Sequence, residues 1–215
     1  MIITFLAPPA AGKGTQSVRV SREYGIPHIS TGDLLRSLDD EDVKRDLSQG
    51  KLANDQLVTD LLKERISKDD CAKGYVLDGY PRNLKQARMY ETILEDSNRT
   101  DNIVIILDLD KEIAAKRIIG RKVCSSCGAV FNELIEESKP KEEGICDNCH
   151  EALSKRSDDT RETFEKRFQI YLNETEPIIN FYEQKGNAYH VNSEAGTEET
   201  FKKIQKIIGG LYDQH

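Results

Sequence analysis

A chain of 215 residues, 37% hydrophobic and 32% charged, has room for one α/β core with inserts but not for two full-sized independent domains. Its net charge of -7 argues against general affinity for a nucleic-acid backbone, which rests on lysine and arginine neutralising phosphates, so any phosphate site must be local. No apolar run approaches the roughly 20 residues of a spanning helix, and the leading MIITFLAPPA lacks a basic leader; it reads as a strand, and a cytoplasmic location is expected.

Apolar runs rich in β-branched residues at Ile2 to Leu6, Pro27 to Ile29, Tyr75 to Leu77, Ile103 to Leu107 and Tyr189 to Val191 predict five strands. Between them lie helical patterns. The clearest is Asp55 to Ile66, where Leu57, Val58, Leu61, Leu62 and Ile66 recur at helical spacing and Asn54 can cap the start. Such alternation predicts an α/β fold with a parallel sheet, buried on both faces and binding ligands at the carboxyl ends of its strands. The loops Ala7 to Gly12 and Asp78 to Arg82 emerge at those ends. Two segments interrupt the alternation and read as inserted flaps, Ser30 to Lys63 and Arg121 to Asp158. After the second, Phe164, Phe168, Tyr171 and Leu172 mark one face of a long helix, bent or ended near Pro177.

The first strand runs into Ala7-Pro8-Pro9-Ala10-Ala11-Gly12-Lys13-Gly14-Thr15 and then a helical pattern, the context of a phosphate-binding loop. Backbone N–H groups over Ala10, Ala11, Gly12, Lys13, Gly14 and Thr15, together with a helix N-terminus, can cradle anionic oxygens while Lys13 supplies positive charge. Thr15 can hold or orient Mg²⁺. The strict pattern fails twice, since Ala7 replaces its first glycine and Gly14 directly follows the lysine; a plain small-residue turn is the alternative. Asp78 ends a strand in the sequence YVLDG, which puts a carboxylate at the sheet edge where it can hold a magnesium-bound water. Asp33 is a second candidate for that role, with helix capping as its alternative.

The motifs Ser30-Thr31-Gly32-Asp33-Leu34-Leu35-Arg36 and Asp78-Gly79-Tyr80-Pro81-Arg82, with the first loop, closely resemble the adenylate kinase family, and the resemblance covers essentially the whole chain. It implies a P-loop kinase core at 1–29, 64–120 and 159–215, an AMP-binding insert at 30–63 and a zinc-binding lid at 121–158. It further implies that Thr31, Arg36, Gly79, Arg82 and Gln86 contact AMP, the Arg36 and Arg82 pair on its phosphate and Gln86 on its adenine. Arg156 and Arg167 reach AMP as well. Arg117 lies against the ATP adenine, and Lys13, Arg82, Arg121, Arg156 and Arg167 surround the migrating phosphoryl group. Planar guanidinium groups bind phosphate oxygens in pairs, and phosphoryl transfer needs alignment and charge neutralisation rather than a nucleophile. None of the four histidines is therefore assigned a catalytic role. The implied reaction is ATP + AMP = 2 ADP with Mg²⁺, in a monomer without nucleic-acid or membrane partners.

Cys124-x2-Cys127, 18 intervening residues and Cys146-x2-Cys149 have the spacing of a four-thiolate structural zinc site. Disulfides are the rival reading, disfavoured where thiols stay reduced. Cys71 falls outside the pattern and reads as an ordinary buried cysteine, and His150 as a bystander. A nucleic-acid ribbon is disfavoured because Glu133, Glu136, Glu137, Glu142, Glu143 and Asp147 outnumber Lys139 and Lys141 between the cysteines.

The chain departs from the family at Ala7 and Ala10, where glycine is usual, in the shorter stretch Ser37 to Gly50, and at Asn54 after Gly50-Lys51-Leu52. A catalytically weakened nucleotide-binding homologue and a UMP/CMP-type kinase are thus the alternatives. Lys13 and the matched arginines favour an active enzyme, and the long cysteine-bearing lid with Gln86 favours AMP. If Ala10 must turn left-handed, the loop is strained or reshaped there.

Overall fold

Five apolar segments lie side by side as parallel strands in the computed structural model, which describes residues 1–49, 51, 53–99, 101–156 and 159–212. In chain order β1 (Ile2–Leu6) leads through α1 (Lys13–Tyr24) to β2 (His28–Ser30), then α2 (Thr31–Arg36), α3 (Glu41–Ser48) and α4 (Asp55–Ile66). There follow β3 (Tyr75–Asp78), α5 (Leu84–Asp96), β4 (Asn102–Asp108) and α6 (Lys111–Ile119). The second flap holds β5 (Arg121–Cys124), β6 (Val130–Asn132) and β7 (Leu153–Ser154), and the chain closes with α7 (Arg161–Ile170), α8 (Glu176–Lys185), β8 (Ala188–Asn192) and α9 (Thr197–Tyr212). The main sheet has the order β2-β3-β1-β4-β8, while β6-β5-β7 form a separate small antiparallel sheet. Each predicted strand is present: β1 has its expected bounds, β2 is displaced by one residue, β3 is one residue longer, and β4 and β8 are longer by one residue at each end.

Alternation along the strands shows why helices cover both faces. Ile3, Phe5, Val76, Ile103, Ile105 and Leu107 pack with Val20 of α1 and Phe201, Ile204 and Ile208 of α9. The intervening residues point the other way. Ile2, Tyr75 and Leu77 meet Val58 and Leu62 of α4 and Tyr90 and Leu94 of α5, while Leu6, Val104 and Ile106 meet Ile178 and Tyr182 of α8. Each such buried side chain contributes roughly 1.5–3 kcal/mol, so a one-residue slip, which would exchange the faces, is strongly disfavoured.

Local chemistry sets the helix ends. Asn54 caps α4 by accepting from the N–H groups of Gln56 and Leu57, as its position predicts. The expected boundary after Lys63 falls inside α4, whose Val58 and Leu62 belong to the same cluster as Tyr75 and Leu77. Gly50 and Leu52 of the Gly50-Lys51-Leu52 stretch, and Ser157 and Asp158 at the end of the second flap, lie outside the described residues.

The long helix after the flap differs from expectation. Pro177 offers no N–H to the preceding turn, and α7 and α8 are joined by a π turn at Tyr171–Thr175, in which the Glu176 N–H donates to the Tyr171 carbonyl. Phe164 and Phe168 are buried against Ala114, Ala115 and Ile118. Leu172, expected on their face, is instead 37% exposed, because the wider turn rotates the chain out of α register.

Candidate functional site

A cleft of about 1470 Å³ opens at the carboxyl end of the sheet, with the Ala7–Thr15 loop on its floor and the second flap above. Gly12, the N-cap residue just before α1, is left-handed with φ 82 and offers no side-chain cap, so the first-turn N–H groups of the helix are available to anionic oxygens. Ala10 is also left-handed, with φ 67, so the strain anticipated at this alanine is present. Its methyl packs against the cluster of Ala114, Ile118 and Phe164. Ala7 carries no positive φ; alanine replaces glycine there without backbone conflict. Gly14 lies where α1 passes the end of β3, an added Cβ standing 3.5 Å from Asp78 Oδ2.

Lys13 Nζ pairs with Asp78 Oδ1, and His28 Nε2 lies 3.5 Å from Asp78 Oδ2. Burial alone would raise the Asp78 pKa, but the charge of Lys13 and the neighbouring His28 outweigh it and hold the carboxyl below its ordinary value. His28 was not picked out from sequence. Its place follows from the parallel register, in which Ser30 pairs with Asp78 and His28 with Val76, and a strand register cannot be read from a lone histidine.

Arg36, Arg82 and Arg167 line the same cleft, as do Arg117, Arg121 and Arg156. Arg82 is tied at three points. Its Nε donates to the Gly79 carbonyl at 2.8 Å, its backbone N–H to Gln86 Oε1 at 2.8 Å, and its carbonyl accepts from Thr175 Oγ1 at 2.9 Å. Thr175, at the end of the π turn, is a second contributor that the sequence reading missed. Burial lowers the Arg82 pKa, and the nearby charges of Arg167 and Arg36 push it the same way, against the opposing pull of Asp78. Arg82 with the charges of Arg36 and Arg167 close by makes a natural seat for an anion. Gly79 is required beside them: its φ is +86 and a Cβ would come within 2.9 Å of Thr31 Oγ1.

The remaining expected contacts are placed as follows. Arg117 lines the cleft and donates to the carbonyls of Ser193 at 2.9 Å and Glu194 at 3.4 Å. Arg121 lines it too, but its guanidinium forms a two-point pair with the fully buried Asp159. Asp33 turns to Arg36, 2.5 Å from its Nη2, and the cap of α2 comes instead from Ser30. Thr31 and Gln86 are each 2% exposed and sit behind the wall formed by Gly79 and Arg82.

In the flap the four cysteines converge, with all four sulfurs within 4.8 Å of one another. The pair Cys124 and Cys149 stand 3.4 Å apart, and Cys127 and Cys146 3.5 Å. These separations exceed the roughly 2.05 Å of a disulfide and are near the edge of a tetrahedron with Zn–S distances of about 2.3 Å. Each Cys-x2-Cys turn closes alike, Gly128 N–H donating to the Cys124 carbonyl and His150 N–H to that of Cys146. His150 therefore occupies the left-handed position, φ 60, that Gly128 fills in the first turn, and its ring is not needed as a ligand. The first turn is also part of the cleft: Cys127, Gly128, Ala129, Val130 and Phe131 line its upper wall. Cys71 is buried far from this group and contacts Arg65.

Comparison with known proteins bears on this arrangement. A sequence model described as adenylate kinase matches residues 5–187. The chain is 39% identical over 217 residues to the adenylate kinase of Geobacillus sp. (strain WCH70), covering 98% of this chain and 100% of that protein. It is 37% identical to the adenylate kinase of Bacillus subtilis (strain 168) over 98% of this chain and 99% of that protein. To that of Clostridioides difficile (strain 630) it is 39% identical, over 97% and 99% respectively.

Proposed function

The chain belongs to the adenylate kinase family, and from that premise we propose that this cleft transfers a phosphoryl group reversibly between ATP and AMP. The observation that carries the assignment of roles is that Lys13, the uncapped start of α1, Arg36, Arg82 and Arg167 line one cleft. The loop over residues 10–15 holds the β and γ phosphates of ATP, with the adenine against Arg117. Arg36 and Arg82 grip the phosphate of AMP, leaving an acceptor oxygen directed at the donor. Lys13, Arg82, Arg121, Arg156 and Arg167 neutralise charge on the oxygens of the group in flight, which is most of what such a transfer asks of a protein.

The donor chemistry around Asp78 fits Mg²⁺, which favours few carboxylates and several waters: an ionised carboxylate and the Thr15 hydroxyl share the cleft floor. Bound there, Mg²⁺ neutralises phosphate charge. Asp33 contributes only indirectly, since Arg36 occupies its carboxylate. The four thiolates fit a structural Zn²⁺, with no position left open for water. Residues 121–158 then act as a lid that excludes water from the reaction, 30–63 as the AMP-side insert, and 1–29, 64–120 and 159–215 as the core. No helix among the described residues is long and apolar enough to cross a membrane; a cytoplasmic monomer completes the reading.

The test is ADP formation from Mg-ATP with AMP, CMP, UMP or GMP as acceptor. AMP should be preferred by orders of magnitude. Faster turnover of UMP or CMP would overturn the acceptor assignment, and nucleotide binding without turnover would identify a weakened homologue.

A further inference from the structure

We infer that Asp55 sets the base selectivity of the acceptor site by fixing the Gln86 carboxamide in one orientation; this rests on the reading above in which Gln86 meets the adenine of AMP. The two polar ends of Gln86 have partners of opposite and unambiguous kind. Its Oε1 accepts from the Arg82 backbone N–H at 2.8 Å, and its Nε2 donates to Asp55 Oδ1 at 2.9 Å. A backbone N–H can only donate and a carboxylate can only accept, so reversing the amide would set donor against donor and acceptor against acceptor. Gln86 is 2% exposed, and such a double mismatch in a buried position is costly.

Each partner uses one of the two bonding positions at its end of the amide, which leaves one N–H and one oxygen lone pair, in a fixed sense. The Watson–Crick edge of adenine offers an acceptor at N1 and a donor at the 6-amino group, and pairs with such a donor and acceptor. The 6-oxopurines, hypoxanthine and guanine, carry a donor at N1 and an acceptor at O6, and meet the same amide with both bonds opposed. Sites that hydrogen-bond their substrate discriminate far more sharply than apolar pockets of the same shape.

Asp55 is itself held. Its Oδ1 also accepts from Asn83 Nδ2 at 2.9 Å, and Lys85 Nζ lies 3.3 Å from its Oδ2. Asn83 in turn caps α5 by accepting from the Gln86 backbone N–H at 2.8 Å. Partial burial would raise the Asp55 pKa, but the donors Asn83, Gln86 and Lys85 outweigh it and keep the carboxylate ionised, hence acceptor-only. The acid that looks like an ordinary first-turn residue of α4 is thus a positioning residue for a side chain on α5.

The experiment measures kcat/KM for AMP and for inosine 5'-monophosphate, with ATP as donor, in the wild type and in Asp55→Ala, Asp55→Asn and Gln86→Leu. In Asp55→Ala the Arg82 N–H alone still opposes reversal of the amide, so the preference for AMP over the inosine nucleotide should fall by about tenfold or more, with KM for ATP unchanged. Asp55→Asn, which retains an acceptor oxygen, should restore most of the preference. A ratio unchanged in Asp55→Ala, even with a lower Tm, would show a merely structural tie and overturn the inference. If Asp55→Ala does not fold, Asp55→Glu displaces the acceptor while keeping its charge, and an unchanged ratio there is equally decisive. Gln86→Leu separates the two levels: if it too leaves the ratio intact, Gln86 is not the adenine contact and the underlying reading fails.

Discussion

Replacing Lys13 by methionine perturbs the phosphate site and the fold at once, and the two effects are separable. Lys13 and Asp78 side chains are 25% and 13% exposed, so Lys13→Met strands a largely buried carboxylate. Removing one partner of a fully buried pair costs about 3–5 kcal/mol; with the lysine a quarter exposed and His28 3.5 Å away from Asp78, about 2–3 kcal/mol is expected after screening. That corresponds to a Tm lower by about 5–10 °C for a chain of this size. Turnover should fall by about two to three orders of magnitude, as when a charge-stabilising donor is removed from a transition state. The pH dependence has a definite sign. Asp78 is held below its ordinary 3.8 in the wild type, so it contributes stability that is present above that value and lost as pH falls through the folded-state pKa. In Lys13→Met only His28 still opposes the effect of burial, so the Asp78 pKa rises from its wild-type position, and the gap between the two proteins should be widest near neutrality and narrow toward acid as Asp78 takes up its proton. Melting curves at pH 7 and pH 5, with an ADP-formation assay, measure both effects. The double variant Lys13→Met/Asp78→Asn should recover most of the stability and none of the activity. An unchanged Tm for Lys13→Met at pH 7, or a double variant no more stable than the single one, would refute the reasoning.

Ala10→Gly relieves a left-handed alanine, φ 67, worth about 1–2 kcal/mol, against the lost methyl packing and the extra chain entropy of glycine, about 0.5–1 kcal/mol. Calorimetry should find ATP bound several-fold more tightly and AMP unchanged; equal or weaker ATP binding would mean that the loop tolerates alanine without strain. Cys146→Ser with Cys149→Ser should abolish zinc binding and lower the Tm, and raise KM for ATP more than KM for AMP because Cys127 to Phe131 wall the cleft. Full zinc content by elemental analysis of the purified double variant would contradict the assignment of these ligands.

The main sheet was legible because a parallel sheet is buried on both faces, so Ile103 to Leu107 reads as an unbroken apolar run and Ile2 to Leu6 as one interrupted only by Thr4. The cysteine cluster was legible because its spacing is itself the geometric constraint. What escaped depends on contacts distant in sequence. His28 matters only once β2 lies in register beside β3, Thr175 only through its bond to Arg82, 93 residues away, and Asp55 only because α4 and α5 bring it to Gln86. The flap strands β6 and β7, three and two residues long, are too short to carry an alternation. Leu172 was misplaced because a 3.6-residue period was carried through a turn that does not keep it.

That same turn makes the helix from Arg161 to Lys185 a phase converter. Its first part presents Phe164 and Phe168 to α6, and its second presents Ile178 and Tyr182 to the sheet, two destinations whose bearings around the helix axis are reconciled by the widened turn between them. Deleting Gln169 while the widened turn is kept would swing everything beyond it by about 100°. Either the phenylalanines or Ile178 and Tyr182 would then leave their pocket, and the Thr175 hydroxyl would leave the Arg82 carbonyl. In this helix a one-residue change of length is a rotation, and it reaches the cleft without touching a residue that faces the nucleotide.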